Sequence, residues 1–255
     1  MSKEFIGELE LNRIYQRDCL DGMKLIPDKS IDMILCDLPY GTTRNKWDSV
    51  IPLDEMWKQY ERVIKDNGAI VLTAQTPFDK VLGASNLRLL RYEWIWRKSK
   101  ATGHLNSKKM PLKEHENVLV FYKKAPVYNP QGLTEKETPT INKGNRGRKG
   151  NGSSGQNYDV ANKDAIQTHT GYPKSVLEYG VVMVPEHPTQ KPTDLFEYLI
   201  RTYTNERDIV LDNCVGSGTT AVASVRTGRQ FIGFETESEY IEIANKRIDN
   251  EGVIE

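Results

Sequence analysis

Four consecutive residues, Asp37-Leu38-Pro39-Tyr40, place an acid, a proline-fixed turn and an aromatic ring directly after an apolar run. Such a set can grip a planar group that bears an amine. Asp37 and the Leu38 carbonyl can accept the two hydrogens of an NH2, and Tyr40 can stack on the ring. Taken alone, the tetrapeptide also reads as an ordinary strand-end turn with a half-exposed tyrosine. The second set lies far away in the chain: Asp212, then Gly216-Ser217-Gly218-Thr219-Thr220, then Glu235. Glycines after a strand let the backbone approach a ligand closely, and an acid ending the next strand can take both hydroxyls of a ribose. Gly216 and Glu235 are 19 positions apart, close to the spacing of about 20 for that geometry. The dinucleotide fingerprint is not met, because Gly218 is followed by Thr219, Thr220 and Ala221. Asp212 would repel a pyrophosphate but would suit a cationic methionine amine. That favours S-adenosylmethionine over a nicotinamide cofactor, although the turn alone also reads as a tight strand-to-helix connection.

The elements that must position these residues are legible as runs. Ser30–Cys36 reads as a buried parallel strand that delivers Asp37, and Leu53–Ile64 has helical spacing through Met56, Trp57, Tyr60, Val63 and Ile64. Asp66-Asn67-Gly68 is expected to stop that helix before a strand at 69–73. Arg13–Tyr15, Tyr92–Trp96 and Asn117–Tyr122 read as strands, and helices are expected after Pro77 and through Leu20, Met23 and Leu25. The last third alternates helix 195–202, strand 208–212, helix from the glycine turn to Gly228, strand 230–234 and helix 240–248. The cofactor unit therefore closes the chain, where a doubly wound sheet normally opens with it. That order implies circular permutation.

Between these regular parts, composition shifts. Residues 98–113 carry Lys98, Lys100, His104, Lys108, Lys109 and Lys113, and 125–173 show little periodicity. Asn142–Gly155 is Gly-rich and basic and cannot pack a core. It reads either as a flexible surface insertion or as a DNA-backbone arm.

The combination resembles the beta class of amino DNA methyltransferases, in which the catalytic tetrad precedes the cofactor motif. Asp37-Leu38-Pro39-Tyr40 resembles their Asp-Pro-Pro-Tyr. His187-Pro188-Thr189-Gln190-Lys191-Pro192 resembles their methionine-side motif, and Val215-Gly216-Ser217-Gly218-Thr219-Thr220 their glycine turn. Phe231–Glu235 resembles the ribose strand, and Asp18-Cys19 a pair near the adenine of the cofactor. The likeness covers roughly 12–122 and 183–248. Two departures stand out: Leu38 replaces a proline, and Asn213-Cys214 replaces Pro-Phe at the edge of the cofactor pocket.

The resemblance implies an α/β fold, a circularly permuted Rossmann-like methyltransferase sheet with helices on both faces. It implies one catalytic domain over 1–255 with an inserted target-recognition region at about 98–183. Asp37, Leu38, Pro39 and Tyr40 would be catalytic. Asp18, Cys19, His187, Thr189, Lys191, Asp212, Cys214, Gly216, Ser217, Gly218, Thr219 and Glu235 would bind S-adenosylmethionine. The target would be a flipped-out base, with Asp37 pointing to adenine N6 because cytosine-N4 enzymes commonly carry serine there. A cytosine-N4 enzyme, an enzyme acting on another amine (RNA or a protein glutamine) and a degenerate DNA-holding module stay open. His115-Glu116 could suggest a dyad but is expected to pack at a strand start, and Trp94 and Trp96 are expected to lie in core or interface rather than to serve as base platforms. Arg44, Asn45, Lys46 and Trp47 are expected either to close over the base or to form a solvated loop.

Composition narrows the partners. Lys+Arg and Asp+Glu are both 35, so a DNA partner is not announced by net charge and must be met by local clusters. Cys19, Cys36 and Cys214 form no CxxC pair, so neither a disulfide framework nor a metal site is expected. No run is apolar enough to span a membrane. The N-terminus is unlike a signal peptide, the whole chain is expected to be the mature one, and a cytoplasmic protein is expected. A homodimer and a restriction-modification setting are further open readings.

Overall fold

A computed structural model describes residues 3–41, 48–142, 164–186 and 190–251. The chain forms two compact units, residues 1–129 with 175–255, and residues 130–174.

The larger unit opens with a small hairpin of β1 (Phe5–Ile6) and β2 (Leu9–Glu10), followed by β3 (Arg13–Gln16), α1 (Cys19–Met23) and β4 (Ile31–Asp37). Next come α2 (Leu53–Val63), β5 (Ile64–Ala74), α3 (Phe78–Ser85), β6 (Leu90–Thr102) and β7 (Lys113–Phe121). In the smaller unit, β8 (Thr134–Asn142) and β9 (Ala165–Thr170) pair antiparallel. The chain then returns through β10 (Val176–Tyr179), α4 (Thr193–Tyr203), β11 (Ile209–Asp212), α5 (Thr219–Arg226), β12 (Gln230–Glu235) and α6 (Ser238–Glu251).

Eight strands form one sheet in the order β10-β6-β7-β5-β4-β11-β12-β3. All neighbours pair parallel except those of β7, which runs against both β5 and β6. The first long strand of the chain, β3, sits at one edge beside the last, β12. This is the permuted, Rossmann-like α/β sheet that the order of the motifs predicts.

Alternate residues of the central strands feed two cores. Ile34 and Cys36 of β4, with Ile70 and Leu72 of β5, join Met56, Trp57, Tyr60 and Val63 of α2. Met33 and Leu35, with Ala69 and Val71, join Leu195, Phe196, Leu199 and Ile200 of α4 on the other face. Both faces are covered, so these strands read as continuous apolar runs rather than as alternating ones. The four α2 residues recur at helical spacing, and burying each large one contributes about 1.5–3 kcal/mol. At the amino end of β4, Asp32 pairs with Lys65 at 2.6 Å and accepts from the Ile209 amide at 3.0 Å, which ties β4, β5 and β11 together away from the carboxyl ends.

Three expectations change. Asp66-Asn67-Gly68 does not separate helix from strand: α2 ends at Val63 and β5 begins at Ile64. The irregular pairing between Ile31 and Met33 of β4 accommodates the turn-forming residues inside β5. Second, the stretch 125–173 holds β8 and β9, whose exposed Ile141 and Ile166 face each other across the pair. A two-stranded ribbon has no buried face, so its pattern carries no apolar alternation. Third, β6 extends well past Trp96, to Thr102; Trp94 and Trp96 are buried in core as expected. Residues 143–155 of the basic stretch lie outside the described residues, as do Arg44, Asn45, Lys46, Trp47, His187 and Thr189.

Candidate active site

β4 and β11 are neighbours in the sheet, with Leu211 opposite Ile34. From β4 the chain moves outward to β5, and from β11 it moves the other way to β12, so the carboxyl ends of β4 and β11 flank the switch point where open α/β sheets bind ligands. Asp37 and Asp212 end these two strands. The front and rear motifs of the sequence therefore meet.

Asp37 is opposite Thr73 of β5. The Thr73 hydroxyl donates to Asp37 Oδ1, and the Tyr40 hydroxyl donates to the same oxygen at 2.7 Å. Lys191 Nζ donates to the other oxygen, Oδ2, at 2.6 Å. The Tyr40 ring packs on Phe78, with centroids 5.3 Å apart and planes 28° apart, and Lys191 Nζ lies 5.5 Å from the Tyr40 centroid. Gly41, at φ +66, turns the chain after Tyr40 and donates its amide to Asp48 Oδ1 at 2.8 Å.

Behind Lys191 lies a second acid. Glu116 of β7 is nine-tenths buried, with Oε2 3.5 Å from Lys191 Nζ. Its Oε1 accepts from Lys98 of β6 at 2.6 Å. Burial pulls the Lys191 pKa down, but Asp37 and Glu116 outweigh it and hold it above the usual lysine value. Burial pushes Glu116 up, and Lys191 and Lys98 overcome that push and hold it below the usual carboxylate value. The result is a row of alternating charge, Lys98, Glu116, Lys191 and Asp37, buried at Glu116 and Lys191 and part-buried at its two ends. Tyr40 stays a phenol, since burial, then Asp37 and Glu116, raise its pKa well above the ordinary value.

The cofactor-side turn is organised by its own backbone. Asp212 Oδ1 accepts from the Cys214 amide at 3.0 Å, and burial pushes the Asp212 pKa up to about 6. Glu235 Oε2 accepts from the Gly216 amide at 2.8 Å, while Oε1 accepts from the amides of Thr236 and Glu237. Gly218 caps α5 at φ +84, and a Cβ there would lie 2.7 Å from that of Ala244. Arg247 donates to the Ser217 carbonyl at 2.5 Å. Asn213, the departure from proline, accepts from the Tyr60 hydroxyl at 2.5 Å. Asp18 caps α1 through the amides of Leu20 and Asp21, and the Cys214 thiol contacts that of Cys19.

One cavity of about 610 Å³ joins the two ends, within the range of small-ligand sites. Asp18, Cys19, Asp37, Leu38, Pro39, Tyr40, Lys191, Asp212, Cys214, Gly216, Ser217, Thr219 and Glu235 line it. Gly218 does not line it and instead packs against α6. Lys191, assigned by resemblance to the cofactor, turns its ammonium to Asp37, and its backbone carbonyl meets the cofactor turn, through Thr219 Oγ1 at 3.5 Å. Thr73, Phe78, Lys98 and Glu116 were not assigned to the site. The one signal for Glu116 was an acid heading the apolar run Asn117–Tyr122, since a buried acid needs a cation.

The fit to S-adenosylmethionine rests on this geometry. The buried Asp212 carboxylate suits the amine of the methionine part, and Glu235 suits the ribose. Comparison with known proteins agrees. The DNA methylase family model for N6 and N4 enzymes matches residues 31–246. The chain is 30% identical to the DNA adenine methyltransferase YhdJ of Escherichia coli, over 94% of this chain and 83% of that one. It is 27% identical to the Type II methyltransferase M1.MboII of Moraxella bovis, over 93% and 96%. The crystal structure of the M1.HpyAVI–S-adenosylmethionine complex superposes with a TM-score of 0.63 at 26% identity, covering 92% of this chain and 98% of that one. The cytosine-N4-specific PvuII DNA methyltransferase shares the fold, with a TM-score of 0.67 at 18% identity, over 92% and 85%. The chain belongs to the N6/N4 DNA methylase family, whose members are S-adenosylmethionine-dependent DNA methyltransferases.

Proposed function

We propose that this enzyme methylates N6 of adenine in DNA, on a base flipped out of the duplex, with Asp37, Leu38, Pro39 and Tyr40 as its acceptor site. The observation that carries this is the convergence of Asp37, Tyr40 and the Asp212–Glu235 turn on one cavity. When bound, S-adenosylmethionine supplies an electrophilic methyl group. The residues of the chain do the positioning. Asp37 and the Leu38 carbonyl accept the two amine hydrogens, which frees the nitrogen lone pair from the ring. Because only a carbonyl is needed there, leucine serves in place of proline. Tyr40 supports the flipped base, a stacking contact worth about 1–3 kcal/mol against the few kcal/mol that extrusion costs. Asp212 meets the methionine amine, and Glu235 the ribose. Asp18, Cys19 and Cys214 border the adenosine, and Ser217, Gly218 and Thr219 shape the turn. His187 and Thr189 are assigned to the methionine side by the motif they share with Lys191. Catalysis is positioning and electrostatics.

Asp37 supports adenine over cytosine, as does the adenine specificity in the name of the 30% identical relative. Of the expected insertion at about 98–183, β7 and β10 belong to the central sheet, and the smaller unit, residues 130–174, is assigned to target recognition, with a cytoplasmic enzyme of a restriction-modification setting as its context. A homodimer is tested by sedimentation. The deciding experiment is transfer of labelled methyl to unmethylated DNA, followed by nucleoside analysis. N6-methyladenine is expected; N4-methylcytosine alone would overturn the base assignment, and no transfer would favour the DNA-holding module.

A further inference from the structure

We propose that Glu116 is a positioning residue for methyl transfer: its buried Oε2 receives the Lys191 ammonium when the target amine takes its place on Asp37 Oδ2. This rests on the acceptor site proposed above.

A carboxylate offers about four acceptor positions. Two hydroxyls, of Tyr40 and Thr73, already fill Asp37 Oδ1. Lys191 holds Oδ2 at 2.6 Å. An incoming amine must therefore bond at the oxygen that Lys191 occupies. If the ammonium stays, it sits beside the nitrogen that becomes cationic as the methyl group arrives. Repulsion at that range, with Lys191 itself buried, opposes the reaction.

The protein holds a second seat for the ammonium. Glu116 Oε2 is buried and accepts no hydrogen bond, the only such side-chain atom found among the described residues. Orphaned buried acceptors are costly and call for an explanation. This one is 3.5 Å from Lys191 Nζ, so a movement of about 0.7 Å would bring it to charge-assisted hydrogen-bond length. Lys98 holds the other oxygen of Glu116 at 2.6 Å, which keeps that carboxylate in place while Lys191 moves. The pairing of opposite charges survives the exchange, because Lys191 leaves one carboxylate for another.

The test is single-turnover transfer of labelled methyl to DNA, with cofactor affinity measured in parallel by tryptophan fluorescence. Glu116→Gln keeps the shape and removes the second seat. Its transfer step is expected to slow about 30-fold or more, the scale of breaking a buried charge pair, with cofactor affinity within about twofold of wild type. Lys191→Met removes the group that needs the seat, so the double variant Glu116→Gln/Lys191→Met is expected to match Lys191→Met alone. Multiplicative losses in the double variant would overturn the proposal, as would a wild-type rate for Glu116→Gln. Should Glu116→Gln fail to fold, Glu116→Asp tests the same point: a partial loss of the transfer step supports it and a wild-type rate overturns it. Wild-type enzyme separates the two levels. If it methylates no adenine, the acceptor-site assignment fails and takes this inference with it; if it does, only the inference is at stake.

Discussion

The two carboxylates that end neighbouring central strands are held in opposite ways. Asp37 is gripped by side chains from four separate places in the sequence: Tyr40, Thr73 and Lys191 directly, and Glu116 through Lys191. Asp212 and Glu235 are met by backbone amides of the turns beside them, joined by the Thr220 and Cys36 side chains at Asp212 and the Thr236 hydroxyl at Glu235. A side-chain network can be rearranged by a substrate and broken by one substitution. A backbone cradle is preformed and answers mainly to changes in chain geometry. The acceptor side is therefore built to respond, and the cofactor side to stay as it is.

Substitutions sharpen that contrast, beginning with the largest effect. Asp37→Ala is expected to cut methyl incorporation by about a thousandfold or more while leaving cofactor affinity within a few-fold; an equal loss of both would mean the two sides are not separable. Tyr40→Ala should lose about a hundredfold in DNA methylation, the sum of stacking and the bond to Asp37. Tyr40→Phe keeps the ring on Phe78 but drops that bond, so about a tenfold loss is expected. Identical rates for the two variants would remove the stacking role.

The cofactor side should show itself through pH. Asp212 has its pKa raised to about 6 by burial. Its charged form is thus costly in the free protein above that pH, and the cost is relieved as pH falls through 6. Asp212→Asn is expected to raise the thermal midpoint at pH 8, by up to about 3 kcal/mol of stability, and to leave it unchanged below about pH 3, under both the folded and the unfolded pKa. The same variant should bind S-adenosylmethionine about tenfold more weakly at pH 8, and its affinity should lose the fall that wild type shows below pH 6. A pH-independent wild-type affinity would break the assignment of Asp212 to the methionine amine. The smallest effect is expected at Gly218→Ala, where a positive φ and a 2.7 Å approach to Ala244 should cost about 1–2 kcal/mol in unfolding. Transfer from bound cofactor should hardly change.

The same contrast explains what could be read from the residues alone. Turns organised by their own backbone carry local signatures, so Asp212, the glycine run and Glu235 were visible as one unit, as was the strand that delivers Asp37. The permuted sheet followed from their order. Thr73, Lys98 and Glu116 carry no local signature. Thr73 matters because it lies opposite Asp37 across two strands, and Glu116 because β7 runs backwards between β5 and β6. Register and strand direction decide those meetings, and neither is written in a short window. The ribbon of β8 and β9 escaped for another reason: with no buried face, it lacks the pattern by which strands are recognised.

The place of β3 has a consequence for how the molecule is made. Its partner β12 is separated from it by more than two hundred residues, with Arg13 opposite Ile232. A chain growing on the ribosome must carry β3 unpaired until nearly the last helix has been synthesised. Such distant pairing is slow to form and leaves an open strand edge meanwhile. The strand that shields that edge also brings Glu235. A nascent chain stopped before β12 can hold neither the ribose nor β3.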